Sequence, residues 1–289
     1  MSEEWLRAVS RPLPPARVDP SVPNVARVWN YLVGGRDNFE TDRKAARQLL
    51  AVAPVMEVVA LASRAFLRRA VSYLAAEAGI WQFLDIGTGI PAAGNTHEVA
   101  QAVNPSCRVV YVDNDPVVLS HARAGLRSAP QGATSYLDAD ARDTAAIVAG
   151  AGATLDFTRP VGVVLIDILN FIEDAADMLR RTVAAVPGGS YLVVMQPVGD
   201  ERLTQAAQRW NSSGASPVFL RDPAQVARWF AHLDLVEPGL VELHQWRPAP
   251  GDPECHDGLP LLGAVARKPL LVGFPAGANV STATPGTAR

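Results

Sequence analysis

The chain has 289 residues, and its 26 Lys and Arg against 29 Asp and Glu give a formal charge of −3, which leaves no electrostatic footprint for a nucleic-acid backbone. With 48% hydrophobic and 19% charged residues it can bury a sizeable core, so disorder throughout is excluded. Its two cysteines, Cys107 and Cys255, are too few and too far apart for a disulfide scaffold or a Cys-rich zinc site, so no metal is expected and a reducing cytoplasm is the expected compartment.

Met1 to Pro20 is acidic, then basic and proline-broken, without the apolar run of an export signal. Residues 1–20 and the Gly-, Ser- and Thr-rich tail 274–289 are expected to be flexible. Residues 21–79 read as a helical cover, with helices over Val25–Val33, Asp42–Leu50 and Ala62–Ala78. In the last of these Phe66, Ala70, Val71 and Leu74 share one face at helical spacing. The apolar stretch Leu49–Ala62 is interrupted by Pro54 and Glu57 and is shorter than the roughly 18 residues of a membrane span, so no membrane partner is expected.

From residue 80 to 273 short apolar runs alternate with amphipathic segments. QFLDI, RVVYVD, TSYLDAD, PVGVVLID and SYLVVMQ read as strands, with helices after Asn95, after Pro116, near Thr144, after Asp174 and after Asp200. This order predicts an α/β fold, a doubly wound Rossmann-like parallel sheet with helices on both faces. A helix after Asp222 is followed by ELHQWRP and LLGAVARKP, which are expected to close the sheet as a hairpin.

The first βα turn runs Leu84-Asp85-Ile86-Gly87-Thr88-Gly89-Ile90-Pro91-Ala92. Gly87, Gly89 and Ala92 satisfy the G-x-G-x-x-G/A pattern, in which glycines let the backbone turn sharply and approach a ligand. A carboxylate at Asp85 would repel the pyrophosphate of a nicotinamide cofactor, whereas it suits the ammonium of S-adenosylmethionine. The alternative is that Asp85 caps the turn by bonding backbone amides. Asp113, a little over twenty residues on, ends the second strand where an acid accepts both ribose hydroxyls. Asp140, after the third strand, can accept from an adenine amino group, whereas Asp143 reads as a helix-start acid. Asp167 ends the nearly all-apolar fourth strand, either as a base or cofactor contact or as an acid bonded to neighbouring backbone. His97 reads as a helix-face residue.

With these motifs in hand, the chain resembles the actinobacterial S-adenosyl methyltransferase family, through VARVWNYLVGGRDNFETDRKAA, RAFLRRAVSYLAAEAGIWQFLDIGTGIPAAGNTHEVAQAVNP and VVYVDNDPVVLSHARA. The resemblance implies a class I methyltransferase fold with S-adenosylmethionine as cofactor. It implies Asp85, Gly87 and Gly89 at the methionine end, Asp113 and Asn114 at the ribose, and Asp140 with Ala141 at adenine. It also implies that the N-terminal helices cover the active site. Within them Tyr31, Gly34, Gly35, Arg36, Asp37, Asn38 and Phe39 form a polar, glycine-rich cluster, and Arg64 offers a fork of donors to the cofactor carboxylate. The bland alternative is that Arg36, Asp37 and Arg64 pair with one another. Asn170, Met195 with Gln196, and Asp167 depart from the pattern of relatives where the acceptor should sit.

These residues lead to methyl transfer from S-adenosylmethionine to a small molecule. Asp167 is the first choice as base and Tyr31 and Asp37 the next, with Arg36, Asn38, Asn170 and Gln196 as acceptor contacts. A second reading keeps the cofactor but breaks its γ-carbon–sulfur bond, by cyclisation or aminocarboxypropyl transfer, and releases methylthioadenosine. A third is a catalytically silent cofactor-binding protein. An oligomer is left open.

Overall fold

A computed structural model describes residues 18–125, 127–213, 215–253 and 258–270. The N-terminal stretch before residue 18, the tail from 271, and Cys255 in the expected hairpin loop therefore lie outside the described residues. Three helices come first: α1 (Val25–Leu32), α2 (Glu40–Val52) and α3 (Met56–Ala76). The alternating segment follows as β1 (Gln82–Ile86), α4 (Thr96–Val103), β2 (Arg108–Asp113), α5 (Pro116–Gly125), β3 (Ala133–Asp138), α6 (Thr144–Ala151) and β4 (Gly162–Leu165). After a short 3₁₀ turn at Leu169–Phe171 come α7 (Ala175–Ala185), β5 (Tyr191–Pro197), α8 (Glu201–Asn211), α9 (Pro223–Arg228), β6 (Asp234–Leu235), β7 (Val241–Glu242) and β8 (Leu261–Arg267).

The sheet has the order β3-β2-β1-β4-β5-β8-β6, with β7 also paired to β8. The strands β1 to β5 pair in parallel, and β8 runs antiparallel to β5 from Tyr191 opposite Arg267 to Pro197 opposite Leu261. The order reverses between β1 and β4, which makes a crevice at their carboxyl ends. This is the doubly wound, Rossmann-like α/β architecture expected from the sequence.

Alternation along each strand divides the core between the two faces. Leu84, Ile86, Val110, Val112, Val163 and Leu165 pack on one face with Ile147 of α6 and Met178 of α7. Phe83, Val109, Tyr111, Val164 and Val193 pack on the other with Val59, Phe66 and Leu74 of α3 and Ala100 of α4. Burying a side chain such as Phe66 or Leu74, both fully enclosed, contributes about 1.5–3 kcal/mol. A third cluster joins α1, α2 and α8 through Val28, Leu32, Leu49, Ala206 and Trp210.

Two expectations need correction. The long helix starts at Met56 rather than Ala62, because Val59 and Ala60 extend its buried stripe toward the N-terminus. The expected strand ELHQWRP is mostly a 3₁₀ turn at Leu243–Gln245, and only Val241–Glu242 pairs with β8. Leu243 and Trp246 are both fully buried in one cluster, and residues three apart reach the same side in a helical turn but opposite sides in a strand. Among the described residues no single helix is long and apolar enough to cross a membrane. The pair α2 and α3 passes that test only together, with a 104° bend between them.

Candidate active site

The strand order sets the carboxyl-end residues side by side: Asp140 after β3, Asp113 at the end of β2, Asp85 and Gly87 at β1, and Asp167 after β4. All of them line one cavity of about 410 Å³, a size suited to a nucleoside-bearing ligand. Part of the lining comes from α1 and its C-cap, with Val25, Trp29 and Val33 spaced every four residues along one side.

Asp85 shares a strand face with Phe83 and so points toward α3 and α4 rather than to solvent. Its Oδ2 accepts the Thr96 hydroxyl at 2.5 Å from the first turn of α4. Burial pushes its carboxyl up to about 6, against the pull of that hydroxyl and of the Arg64 charge. Arg64 reaches in from α3 and donates to the carbonyl of Ala93 at 3.0 Å. Arg36 and Asp37 are not its partners: both are exposed, and Asp37 instead faces His121 at 3.8 Å.

Gly87 and Gly89 both have positive φ, at 75° and 65°. A Cβ on Gly87 would stand 2.5 Å from the Ile168 side chain, whereas one on Gly89 would meet nothing within 4 Å. The Gly89 amide donates to Asp113 Oδ2 at 2.9 Å, and the Asp115 amide to its Oδ1 at 2.9 Å. Burial raises Asp113 above the usual carboxylate range, partly offset by these amides. Asn114 and Ala141 also line the cavity. Asp140 is held by Arg142, which donates its amide and its Nε, each at 2.8 Å, and keeps the carboxyl below its usual range. Asp143 caps α6 by accepting the Ala146 amide at 3.0 Å. His97 is buried against the Tyr111 hydroxyl, 2.8 Å from its Nδ1, and lies outside the cavity lining.

Asp167 occupies a left-handed backbone position, φ 57°, which is uncommon for a residue with a side chain. Burial pushes its carboxyl up to about 7. The nearby Ser63 hydroxyl pulls the other way, yet it donates to the Val59 carbonyl at 2.8 Å. Neither Asp167 oxygen is in hydrogen-bond geometry with any described group. The residue also borders a second cavity of about 80 Å³, together with Val25, Trp29 and Phe171, which it shares with the larger one. Val28, Leu49, Leu203, Ala206 and Trp210 make the second cavity apolar, and Asn170 lines it with an unpartnered, buried Oδ1.

Tyr31, Arg36, Asp37 and Asn38 are not brought to either cavity lining. Residues 34–38 instead wrap around Asn30, whose Oδ1 accepts the Asp37 amide and the Asn38 Nδ2, each at 2.9 Å. Gly35 passes so close that a Cβ there would stand 2.3 Å from the Asn30 side chain. Gln196 is fully buried, lines neither cavity and donates to the Pro197 carbonyl at 2.9 Å. Sequence reasoning missed Trp29, Thr96, Arg142 and Phe171. The Val25-Trp29-Val33 spacing was a signal for the first of these.

A family model described as S-adenosyl methyltransferase matches residues 12–269. The chain belongs to the S-adenosyl methyltransferase family. A DUF574-family protein from Streptomyces avermitilis is 40% identical over 88% of this chain and 100% of its own, with a TM-score of 0.83. A Thermobifida fusca protein is 38% identical over 86% of this chain and 96% of its own, with a TM-score of 0.79. No curated protein matches the chain. The methyltransferase cavity fits S-adenosylmethionine: Asp140, Asp113 and Asp85, from the neighbouring strands β3, β2 and β1, line it together with Arg64, and a Cβ on Gly89 would meet nothing within 4 Å. This S-adenosyl methyltransferase is an S-adenosylmethionine-dependent transferase.

Proposed function

We propose that the protein methylates a small molecule held in the apolar cavity beside Asp167, and that α1 and α2 form the cover under which this happens. The observation that carries this reading is Asp167 itself, a buried carboxyl at the boundary of the two cavities with no group in hydrogen-bond geometry to it among the described residues. A recess of about 80 Å³ suits a small group rather than a polymer.

S-adenosylmethionine supplies an activated methyl group. In this reading Asp113 and Asn114 hold the ribose, Asp140 and Ala141 the adenine, and Arg64 the cofactor carboxylate, while Asp85 faces its ammonium. Trp29, Val25 and Phe171 exclude water from the boundary, and Asp167 holds the acceptor and takes its proton through one hydrogen bond.

The test is to incubate the full chain with S-adenosylmethionine alone and with candidate acceptors, following adenosyl products by mass spectrometry. Adenosylhomocysteine that appears only with an acceptor supports methyl transfer. Methylthioadenosine formed without one would replace this reading with γ-carbon–sulfur cleavage, and tight cofactor binding with no product in any mixture would replace it with a silent binder.

A further inference from the structure

The apolar cavity presents an unusual polar set. Among the described residues its lining contains no Lys, Arg or His, yet it includes the Asp167 carboxyl and the Asn170 amide. Among the described residues no donor is in hydrogen-bond geometry with either Asp167 oxygen or with Asn170 Oδ1, all of them buried, and the Ser63 hydroxyl near Asp167 donates to the Val59 carbonyl. A buried acceptor left unpaired costs about 1–3 kcal/mol, more when charged, and a buried carboxylate calls for a cation. Three aromatic residues, Trp29, Phe171 and Trp210, line the same space, and aromatic faces attract cations. A hydroxyl brings one donor and no charge, whereas a primary ammonium brings three donors and the missing positive charge.

Resting on the methyl-transfer reading, we propose that the acceptor is a small amine with an apolar body. Its nitrogen lies between the Asp167 carboxylate and Asn170 Oδ1, and its body fills the space bounded by Val28, Leu49, Ala206 and Trp210. Asp167 takes one proton from the ammonium, the freed nitrogen lone pair forms the N–C bond to the methyl group, and the C–S bond breaks with its electron pair left on sulfur. The products are the N-methylated ammonium and neutral adenosylhomocysteine, and the Asp167 proton leaves to solvent with them.

Calorimetry on the full chain saturated with S-adenosylhomocysteine tests this, using matched probes: isopentylamine, isopentanol and isovalerate, then benzylamine, benzyl alcohol and benzoate. The amine of at least one set is expected to bind about tenfold or more tighter than its alcohol, with the acid weakest. Asp167→Asn and Asn170→Leu are each expected to erase that preference. Ala207→Leu, which narrows the cavity from a half-buried position on α8, is expected to weaken the amine without changing adenosylhomocysteine affinity, and it keeps the test open if the polar variants misfold.

Alcohol or acid binding as tightly as amine, or no probe binding to the loaded protein, would overturn the proposal. So would Asp167→Asn weakening adenosylhomocysteine while the amine preference survives, since the carboxylate would then serve the cofactor. Failure of the methyl-transfer reading is seen separately, as a chain that binds no S-adenosylmethionine or releases methylthioadenosine.

Discussion

The Asp113 carboxylate accepts the Gly89 amide at 2.9 Å and thereby ties the end of β2 to the glycine turn that follows β1. One side chain thus shapes the loop and faces the cavity that the loop borders. Asp113→Ala removes both roles. The affinity for S-adenosylmethionine should fall by roughly ten- to a hundredfold, the worth of a charge-assisted hydrogen bond or two. Isothermal calorimetry measures it, and an unchanged affinity would remove Asp113 from the ribose site.

The two glycines of the turn should respond differently. Gly87→Ala adds a Cβ 2.5 Å from Ile168 at a positive φ, whereas Gly89→Ala meets only the backbone penalty. That penalty is about 1–2 kcal/mol, so Gly89→Ala should fold with a modestly lowered Tm. Gly87→Ala should lose more stability and also cofactor affinity, and replacing Ile168 with Ala in the same chain should recover part of the stability. Thermal melts of the three variants check this, and equal losses from the two glycines would refute it.

Asp167 makes a pH-dependent contribution of defined sign. Its folded-state carboxyl is pushed up to about 7 and that of Asp85 to about 6, against about 3.9 in the unfolded chain. Between these values the folded protein keeps protons the unfolded chain has released, so this stability is full below about pH 4 and is lost as pH rises through 7. Asp167→Asn removes the larger part. The variant should exceed the parent in stability at pH 8.5 by on the order of a few kcal/mol, and by much less at pH 5. Denaturant titrations at the two pH values decide it, and a gap independent of pH would count against burial raising the Asp167 carboxyl to about 7.

Asp42 ties the two N-terminal helices together. It is fully buried and accepts from Arg27 Nε at 2.8 Å, the Asn24 amide at 2.9 Å and the Phe39 amide at 2.8 Å, joining the start of α1 to that of α2. Asp42→Ala leaves the Arg27 charge buried and should cost about 3–5 kcal/mol. Replacing Arg27 with Met as well should return part of that loss. If the double variant is no more stable than the single one, the cost lies in the two amides rather than in the stranded charge.

Much of this architecture was legible in the sequence. The strands β1 to β5 and the glycine turn are written in local periodicity and local backbone need, which hold wherever the segment lies. The end of the sheet was not, because Leu243 and Trp246 look like strand residues until the core they enter is known. The cluster from Tyr31 to Phe39 misled for a related reason. Polar, glycine-rich composition suits a ligand contact and a tight turn equally, and Gly35 turns out to be needed for the close approach to Asn30.

By itself the sequence determined the α/β class, the alternation of strands and helices from β1 to β5, and the acids Asp85, Asp113 and Asp167 at or near the carboxyl ends of β1, β2 and β4, since each follows from side chains a few residues apart. Tertiary structure alone decided which acids share a wall, that Thr96 rather than a backbone amide partners Asp85, and that Asp167 and Asn170 meet an apolar space closed by α1, α2 and α8. Those facts depend on contacts between segments distant in the chain, set by the β3-β2-β1-β4 order and the burial of helix faces. Local pattern carries no record of either.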